Sequence, residues 1–226
     1  MKLKNAVALS LALSPTLALS QEQPLVSQEE VITTQVETQT QVNVSGPVYA
    51  QTITDLNMRS WPSNQGQVIQ TIPADATVYV DRCNGDGWCE VIYDGQTGYS
   101  FGTYLTLEND TDEVVFLTPE FTAQTLPVFE YPYPSGYVPY EQTLGTPTIT
   151  YYKDPQDVPL DASVLSYVFN NPPEPIWLNG EVVVGAGVPN AVTTYTIPNT
   201  RYSYANINDT LVVINPVDRA IIHTLD

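Results

Sequence analysis

Histidine is almost missing from this 226-residue chain, which has His223 alone. That scarcity excludes a Ser–His or Cys–His catalytic centre and a histidine-built zinc site. Cysteine is nearly as rare: Cys83 and Cys89 are the whole supply. Two thiols are too few for a four-ligand zinc site, and their spacing is not the C-x-x-C of a redox enzyme. Lysine and arginine together number seven against twenty-five acidic residues, a formal charge of −18. Such a surface repels nucleic acid and anionic lipid, so neither is an expected partner. After the first twenty residues no apolar run is long enough to cross a membrane as a helix, and integral membrane association is not expected.

What is present begins with an export pattern. Lys2 and Lys4 precede an uncharged stretch, Ala6 to Leu19, shorter than the roughly 20 residues a spanning helix needs and interrupted by Pro15. This reads as a signal peptide at 1–20. Ala18 and Ser20 are the small residues a signal peptidase requires, which places cleavage near Ser20–Gln21 and the mature protein in the periplasm or outside the cell. Loss of the two lysines takes the formal charge from −18 to −20. No cysteine follows the apolar stretch, so lipid anchoring there is not expected.

Residues 21–51 read as a disordered linker, because Gln, Thr, Val and Glu recur without a helical stripe and Pro24, Gly46 and Pro47 interrupt regular elements. From Thr52 to Leu107 the pattern becomes short β-type runs at Gln67–Ile72, Thr77–Cys83, Trp88–Tyr93 and Gln96–Phe101, within a unit of five short strands that suggests a small barrel. Asn84-Gly85-Asp86-Gly87 and Asp94-Gly95 supply residues that accept positive φ at hairpin turns. Cys83 and Cys89 flank the first of these loops and face each other in an oxidising compartment, which reads as a disulfide. Its small ring stabilises by roughly 2 to 2.5 kcal/mol in the chain-entropy estimate.

Residues 108–149 turn acidic and then rich in Pro and Tyr, the composition of a second, semi-extended linker, with the docking of Tyr131, Tyr133, Tyr137 and Tyr140 on a partner or on the barrel as the alternative. A linker of that kind uncouples what it joins. Residues 150–226 read as a small α+β domain. Asp161 is placed to cap a helix carrying Val164, Leu165, Val168 and Phe169 on one face, stopped by Pro172 and Pro173. Strands are expected at Glu181–Val184, Ala191–Ile197, Arg201–Ile207, Thr210–Ile214 and Ala220–Leu225, with turns at Asn208-Asp209 and Asn215 to Asp218. The fold class is thus mainly β: an N-terminal small five-stranded barrel and a C-terminal α+β domain ending in an antiparallel meander.

The run Asn57-Met58-Arg59-Ser60-Trp61-Pro62-Ser63 resembles the opening of bacterial SH3-like domains, which read N-x-R-x-x-P-S. Gly87-Trp88-Cys89-Glu90-Val91, Gly98-Tyr99 and Tyr104-Leu105 resemble the closing pattern of that family, with Tyr99 where Trp is usual. The resemblance spans about residues 52–107. From Val164 to Asp226 the chain resembles the periplasmic family called domain of unknown function 1236, on Gly180 to Gly185, Val188-Pro189, Ile197-Pro198, Tyr202-Ser203-Tyr204, Val213 to Pro216, Arg219 and Ile221. That family implies a location and no activity.

Few residues carry chemistry. Carboxylates are plentiful, but scattered acids on so acidic a protein are solvated, and no glycosidase pair is read among them. Glu108, Asp110, Asp112 and Glu113 lack the glycine and spacing of a calcium loop and read as a solvated boundary. Asn43, Asn109 and Asn208 begin glycosylation sequons that a bacterial exporter gives no reason to use. No metal and no cofactor are expected. Bacterial SH3-like domains often accompany cell-wall peptidases or amidases, and neither catalytic set is present here. The candidate ligand-binding residues are Trp61 in a loop, Trp88 at the hairpin and Tyr99 on the last barrel strand, since exposed aromatics bind without chemistry. For Trp88 and Tyr99 the groove and core readings stay equally open. The expected role is non-catalytic binding or scaffolding in the envelope. The barrel would recognise a peptide, either a cell-wall stem peptide or part of an envelope protein. The alternative is a structural or stress-related protein with no ligand.

Overall fold

The computed structural model of the protein describes residues 46–108, 114–147 and 160–225. The expectations for the signal peptide and its cleavage, for residues 21–45 of the first linker, for the acidic run at 109–113 and for the sequons at Asn43 and Asn109 lie outside the described residues.

Alternating apolar and polar residues build eight antiparallel strands from the first two segments. They are β1 (Val48–Thr52), β2 (Leu56–Arg59), β3 (Val68–Ile72), β4 (Thr77–Cys83), β5 (Trp88–Tyr93), β6 (Gln96–Phe101), β7 (Leu105–Glu108) and β8 (Val114–Phe116), in the order β3-β2-β6-β5-β4-β1-β7-β8. Leu56 and Met58 of β2 and Val78 and Val80 of β4 point into the core, while Asn57 and Arg59 lie on the other face of β2. The expected hairpins form where the turn chemistry stands. Asn84 Oδ1 accepts from the backbone N–H of Asp86 and of Trp88, and Asp94 and Gly95, both at positive φ, close the two-residue turn between β5 and β6. Cys83 and Cys89 are cross-strand partners and form the disulfide.

The expected five strands become eight because three lie outside the resemblance or at its rim. Strand β1 falls largely within the segment read as linker. Its partners, β4 and β7, lie roughly 30 and 55 residues downstream, too far for any local signal. Strand β8 returns onto β7. It leads to helix α1 (Pro119–Thr125), where Thr118 Oγ1 accepts from the N–H of Phe121 and Pro119 occupies the first turn. Residues 127–133 then run over the barrel, the chain turns where Tyr137 N donates to Pro134 O, and Leu144 and Gly145 bond to Asn179 and Gly187.

The C-terminal part is one helix and a four-stranded sheet. Helix α2 (Ala162–Asn170) starts at Asp161 as expected, though the Asp161 side chain makes no capping hydrogen bond. Val164 and Val168 are buried, but Phe169 is exposed rather than part of the buried face. Strands β9 (Tyr195–Thr196), β10 (Ser203–Ile207), β11 (Thr210–Ile214) and β12 (Ile221–Leu225) form the meander, with Asn208 and Asp209 at positive φ in the β10–β11 turn. Glu181–Val184 is not a strand, and Ala191–Ile197 shrinks to its last residues. Side-chain anchoring holds this backbone instead of a ladder: Arg219 donates to the carbonyls of Val188, Pro189 and Val192.

Both faces of this sheet are covered. Tyr204, Val213 and Ile222 pack with Val164 and Val168 of α2, whereas Ala205, Ile207, Val212, Ile214 and Ile221 join one continuous core with Leu56, Val80, Trp88 and Phe101 of the barrel. Residues 41–226 are accordingly one compact unit, and the uncoupled arrangement expected from the Pro-rich segment is not the one observed.

A shared core predicts one cooperative unfolding transition for barrel and meander together. Reduction of Cys83–Cys89 should lower that single transition by about 4–8 °C, from roughly 2 kcal/mol of lost chain constraint. Calorimetry with and without reductant measures it. Two separable transitions, with only one moved by reductant, would contradict the shared core.

Candidate functional site

The site begins at Arg59. Its guanidinium reaches Glu181, with Nε donating to Oε1 and Nη2 donating to Oε2 at 2.9 Å, while Nη1 donates to the carbonyls of Asn64 at 2.9 Å and Gly66 at 2.8 Å. Asn57 Nδ2 adds a longer contact to Glu181 Oε2. Side-chain exposure is 12% for Arg59 and 6% for Glu181, so this ion pair is largely withdrawn from water. The main chain of the same segment is held as firmly. Tyr104 Oη donates to the Glu181 carbonyl at 2.8 Å, and burial, then the nearby Glu181 charge, pushes the Tyr104 hydroxyl far above its ordinary value. Gly180, at φ +100°, sits so close to Phe101 that a Cβ there would stand 2.9 Å from the ring.

Trp88 belongs to this arrangement and not to an open groove. It is 1% exposed, packs edge-on to Phe101, and its indole N–H donates to Asn179 Oδ1 at 2.8 Å. Asn179 Nδ2 in turn donates to the Asp86 carbonyl. Trp88 is therefore a core residue and is corrected from the ligand-binding set: a buried indole needs one acceptor, and Asn179 supplies it.

Trp61 and Tyr99 lie on a half-buried aromatic face, and the chain's own residues 129–137 cover it. Tyr131 stacks on Trp61 with centroids 6.5 Å apart, while Tyr133 and Tyr137 meet it edge-on at 5.9 and 5.6 Å. Tyr133 and Tyr137 stack on each other at 4.1 Å. Tyr99 contacts Phe129 and Tyr131. Extended backbone between prolines puts Phe129, Tyr131 and Tyr133 on one side, as the two-residue period requires. Hydrogen bonds pin the segment: Cys83 N to Pro127 O, Phe129 N to Cys83 O, and Asn84 Nδ2 to Tyr133 Oη, whose own proton faces Pro62 O and Asp86 Oδ2. Burial, then the Asp86 charge, raises the Tyr133 hydroxyl well above the ordinary range. For Tyr99, burial and then Glu90 raise it to about 12. Arg82 pairs with Glu90 and lies over the Phe129 ring at 5.2 Å.

Two concavities remain open beside the covered face. A cleft of about 430 Å³ is lined by Asp86, Glu120, Thr143 and Asn179, with Tyr137 and Tyr140 at its edge. Across Pro139, a shelf of about 440 Å³ is formed by Tyr140, Trp177, Val138 and Gln65. Sequence reasoning missed Asn179, Glu181 and Trp177 as site residues. Glu181 stood inside a recognised family landmark, but nothing local told a latch from a strand. Among the described residues no cluster of His, Cys, Asp or Glu is arranged to hold a metal ion, and His223 sits opposite Val213 in the β11–β12 ladder.

The first half of this architecture is a small β module, and residues 54–106 of it match the bacterial SH3 domain. Residues 167–226 match the domain of unknown function DUF1236, so the Arg59–Glu181 pair joins one matched region to the other. Among solved structures the chain is similar to NlpC1 from Trichomonas vaginalis, with 30% identity over 26% of this chain and 21% of that one and a TM-score of 0.25. It is also similar to NlpC2 from the same organism, with 28% identity over 27% and 23% and a TM-score of 0.26. The chain thus spans under a quarter of those structures' length. No match is found among curated proteins.

Arg59→Ala should destabilise by about 3–5 kcal/mol, because it leaves the Glu181 carboxylate buried without its partner. The double change Arg59→Met with Glu181→Met should recover most of that loss. Urea unfolding of wild type and these two variants tests it, and an Arg59→Ala protein within about 1 kcal/mol of wild type would show that the pair does not latch the two regions.

The tyrosines predict the alkaline limit. A phenol whose folded pKa is raised favours folding fully below its ordinary value of 10, and that contribution is lost as pH climbs toward about 12 for Tyr99. Tyr104 and Tyr133 act in the same direction. Stability should therefore fall above pH 10, with part of the tyrosinate absorbance appearing only as the protein unfolds. Complete ionisation of every tyrosine in the folded state would contradict the burial described.

Proposed function

We propose that this is a non-catalytic binding or scaffolding protein of the bacterial envelope, exported with cleavage near Ser20–Gln21, whose SH3 domain recognises a peptide such as a cell-wall stem peptide. The observation that carries the reading is the occupied face at Trp61 and Tyr99. A segment of the chain lies on it, with the rings of Phe129, Tyr131 and Tyr133 against the domain, backbone bonds joining Cys83 to Pro127 and Phe129, and a turn at Pro134–Tyr137 that returns the Tyr137 ring to Trp61. A surface that holds one extended peptide through aromatic faces and a few hydrogen bonds is suited to another of related shape. The disulfide suits an oxidising compartment. The acidic surface favours ligands that bear amino groups.

The same coverage favours a second reading, in which the tyrosines complete a purely structural unit with no external ligand. The two differ in what happens when the covering segment is loosened. A tethered segment competes at millimolar effective concentration, so weakening it raises apparent affinity for an outside peptide. Protein purified from the envelope, its N-terminus near Gln21 established by intact mass, should be retained saturably on purified peptidoglycan. Tyr131→Ala with Tyr133→Ala should increase retention, and Trp61→Ala should remove it. No retention by any of the three would leave the structural reading standing.

A further inference from the structure

Trp177 is a large apolar side chain left 48% exposed, and its backbone is held on both sides. Ile176 N donates to Asn206 O, Asn208 N donates to Ile176 O, and Leu178 N donates to Asn208 Oδ1, while the Leu178 side chain is fully buried. The indole is thus displayed from a fixed backbone and is not the loose end of a flexible loop. Tyr140, the second ring of the shelf, is positioned in the same way. Gln65 Nε2 donates to its hydroxyl at 2.9 Å, and its segment is tied to that of Trp177 where Asn179 N donates to Gln142 O and Leu144 N donates to Asn179 O. Two aromatic side chains held on neighbouring, hydrogen-bonded segments lose little entropy when a ligand settles on them.

The chemistry around the shelf narrows the ligand. Pro139 and Tyr140 border both the apolar shelf and the cleft, which offers the carboxylates of Asp86 and Glu120 and the hydroxyl of Thr143. No lysine, arginine or histidine lines either concavity among the described residues. Together with a formal charge of −18, this disfavours phosphates, carboxylates and acidic glycans. A flat apolar platform beside hydroxyl and carboxylate acceptors suits a molecule with C–H faces on one side and hydroxyl donors on its edge.

We propose that the Trp177–Tyr140 shelf, continued across Pro139 into the cleft, is a binding site for a neutral oligosaccharide. The indole and phenol rings carry the C–H faces of the sugar, and Asp86, Glu120 and Thr143 receive its hydroxyl donors. The site adjoins the face at Trp61 through Tyr137 and does not rest on peptide recognition there.

Titration of the full chain with chitotetraose and with cellotetraose, followed by tryptophan fluorescence, tests the proposal. Trp88 is buried and Trp61 is covered by tyrosines, so a ligand on the shelf is reported mainly by Trp177. A saturable change is expected for at least one sugar, with affinity unchanged between about 0.05 and about 0.5 M salt because no charge pairing is involved. Trp177→Ala should weaken binding at least about tenfold without lowering the melting temperature, and Trp177→Phe should retain part of it. Calorimetric titration of the Trp177→Ala protein keeps the readout independent of the lost fluorophore. No saturable change with either sugar up to about 10 mM, or undiminished calorimetric binding by Trp177→Ala, overturns the proposal. So does a shelf that takes trilysine in place of the sugars and releases it as salt rises, which would assign the site to a cationic peptide.

Discussion

The two halves of this molecule meet around one buried ion pair, with the Trp88–Asn179 bond, the Tyr104–Glu181 bond and a shared apolar core beside it. Arg59 has few other places to send its charge: two of its contacts are carbonyls of its own loop, and the remaining pair is the Glu181 carboxylate. Desolvating two charges is costly, and their attraction offsets that cost only when geometry is good and the remaining donors are satisfied. Here they are, so the pair acts less as a source of net stability than as a register mark. It places Asn179 under the Trp88 indole and Gly180 against Phe101, and the apolar core then closes around both halves.

Proline usually signals a spacer, and the tyrosines between Phe129 and Tyr140 explain why it does not here. Prolines deny this stretch a helix or a ladder, but they also keep it extended at little entropic cost. Each extended step presents a ring to Trp61 or Tyr99, and the few backbone bonds at Cys83 suffice to set its position. The composition that reads as a linker in isolation is equally the composition of a bound peptide.

Legibility in the sequence followed distance along the chain. The turns at Asn84–Gly87, Asp94–Gly95 and Asn208–Asp209 were readable because a turn is decided by the residues within it, and the disulfide because its partners flank one hairpin. Arg59 was readable as half of an ion pair, but not which acid completed it, since Glu181 lies 122 residues away among many carboxylates. Trp88 was balanced between groove and core until Asn179 supplied its acceptor. Glu181–Val184 has strand composition, yet its hydrogen bonds go to side chains and single bridges. Contacts of that kind leave no periodic trace.

The separation between Arg59 and Glu181 also sets an order of events during synthesis. The SH3 region emerges first, with Arg59 and Trp88 still lacking the carboxylate and the amide they need, which lie 122 and 91 residues further along the chain. Contacts this distant in sequence are slow to form, and a half-finished module with an unpaired buried cation is exposed to wrong partners meanwhile. The latch therefore works as a completion check: the first domain acquires its full core only on a chain that has been made through at least Glu181.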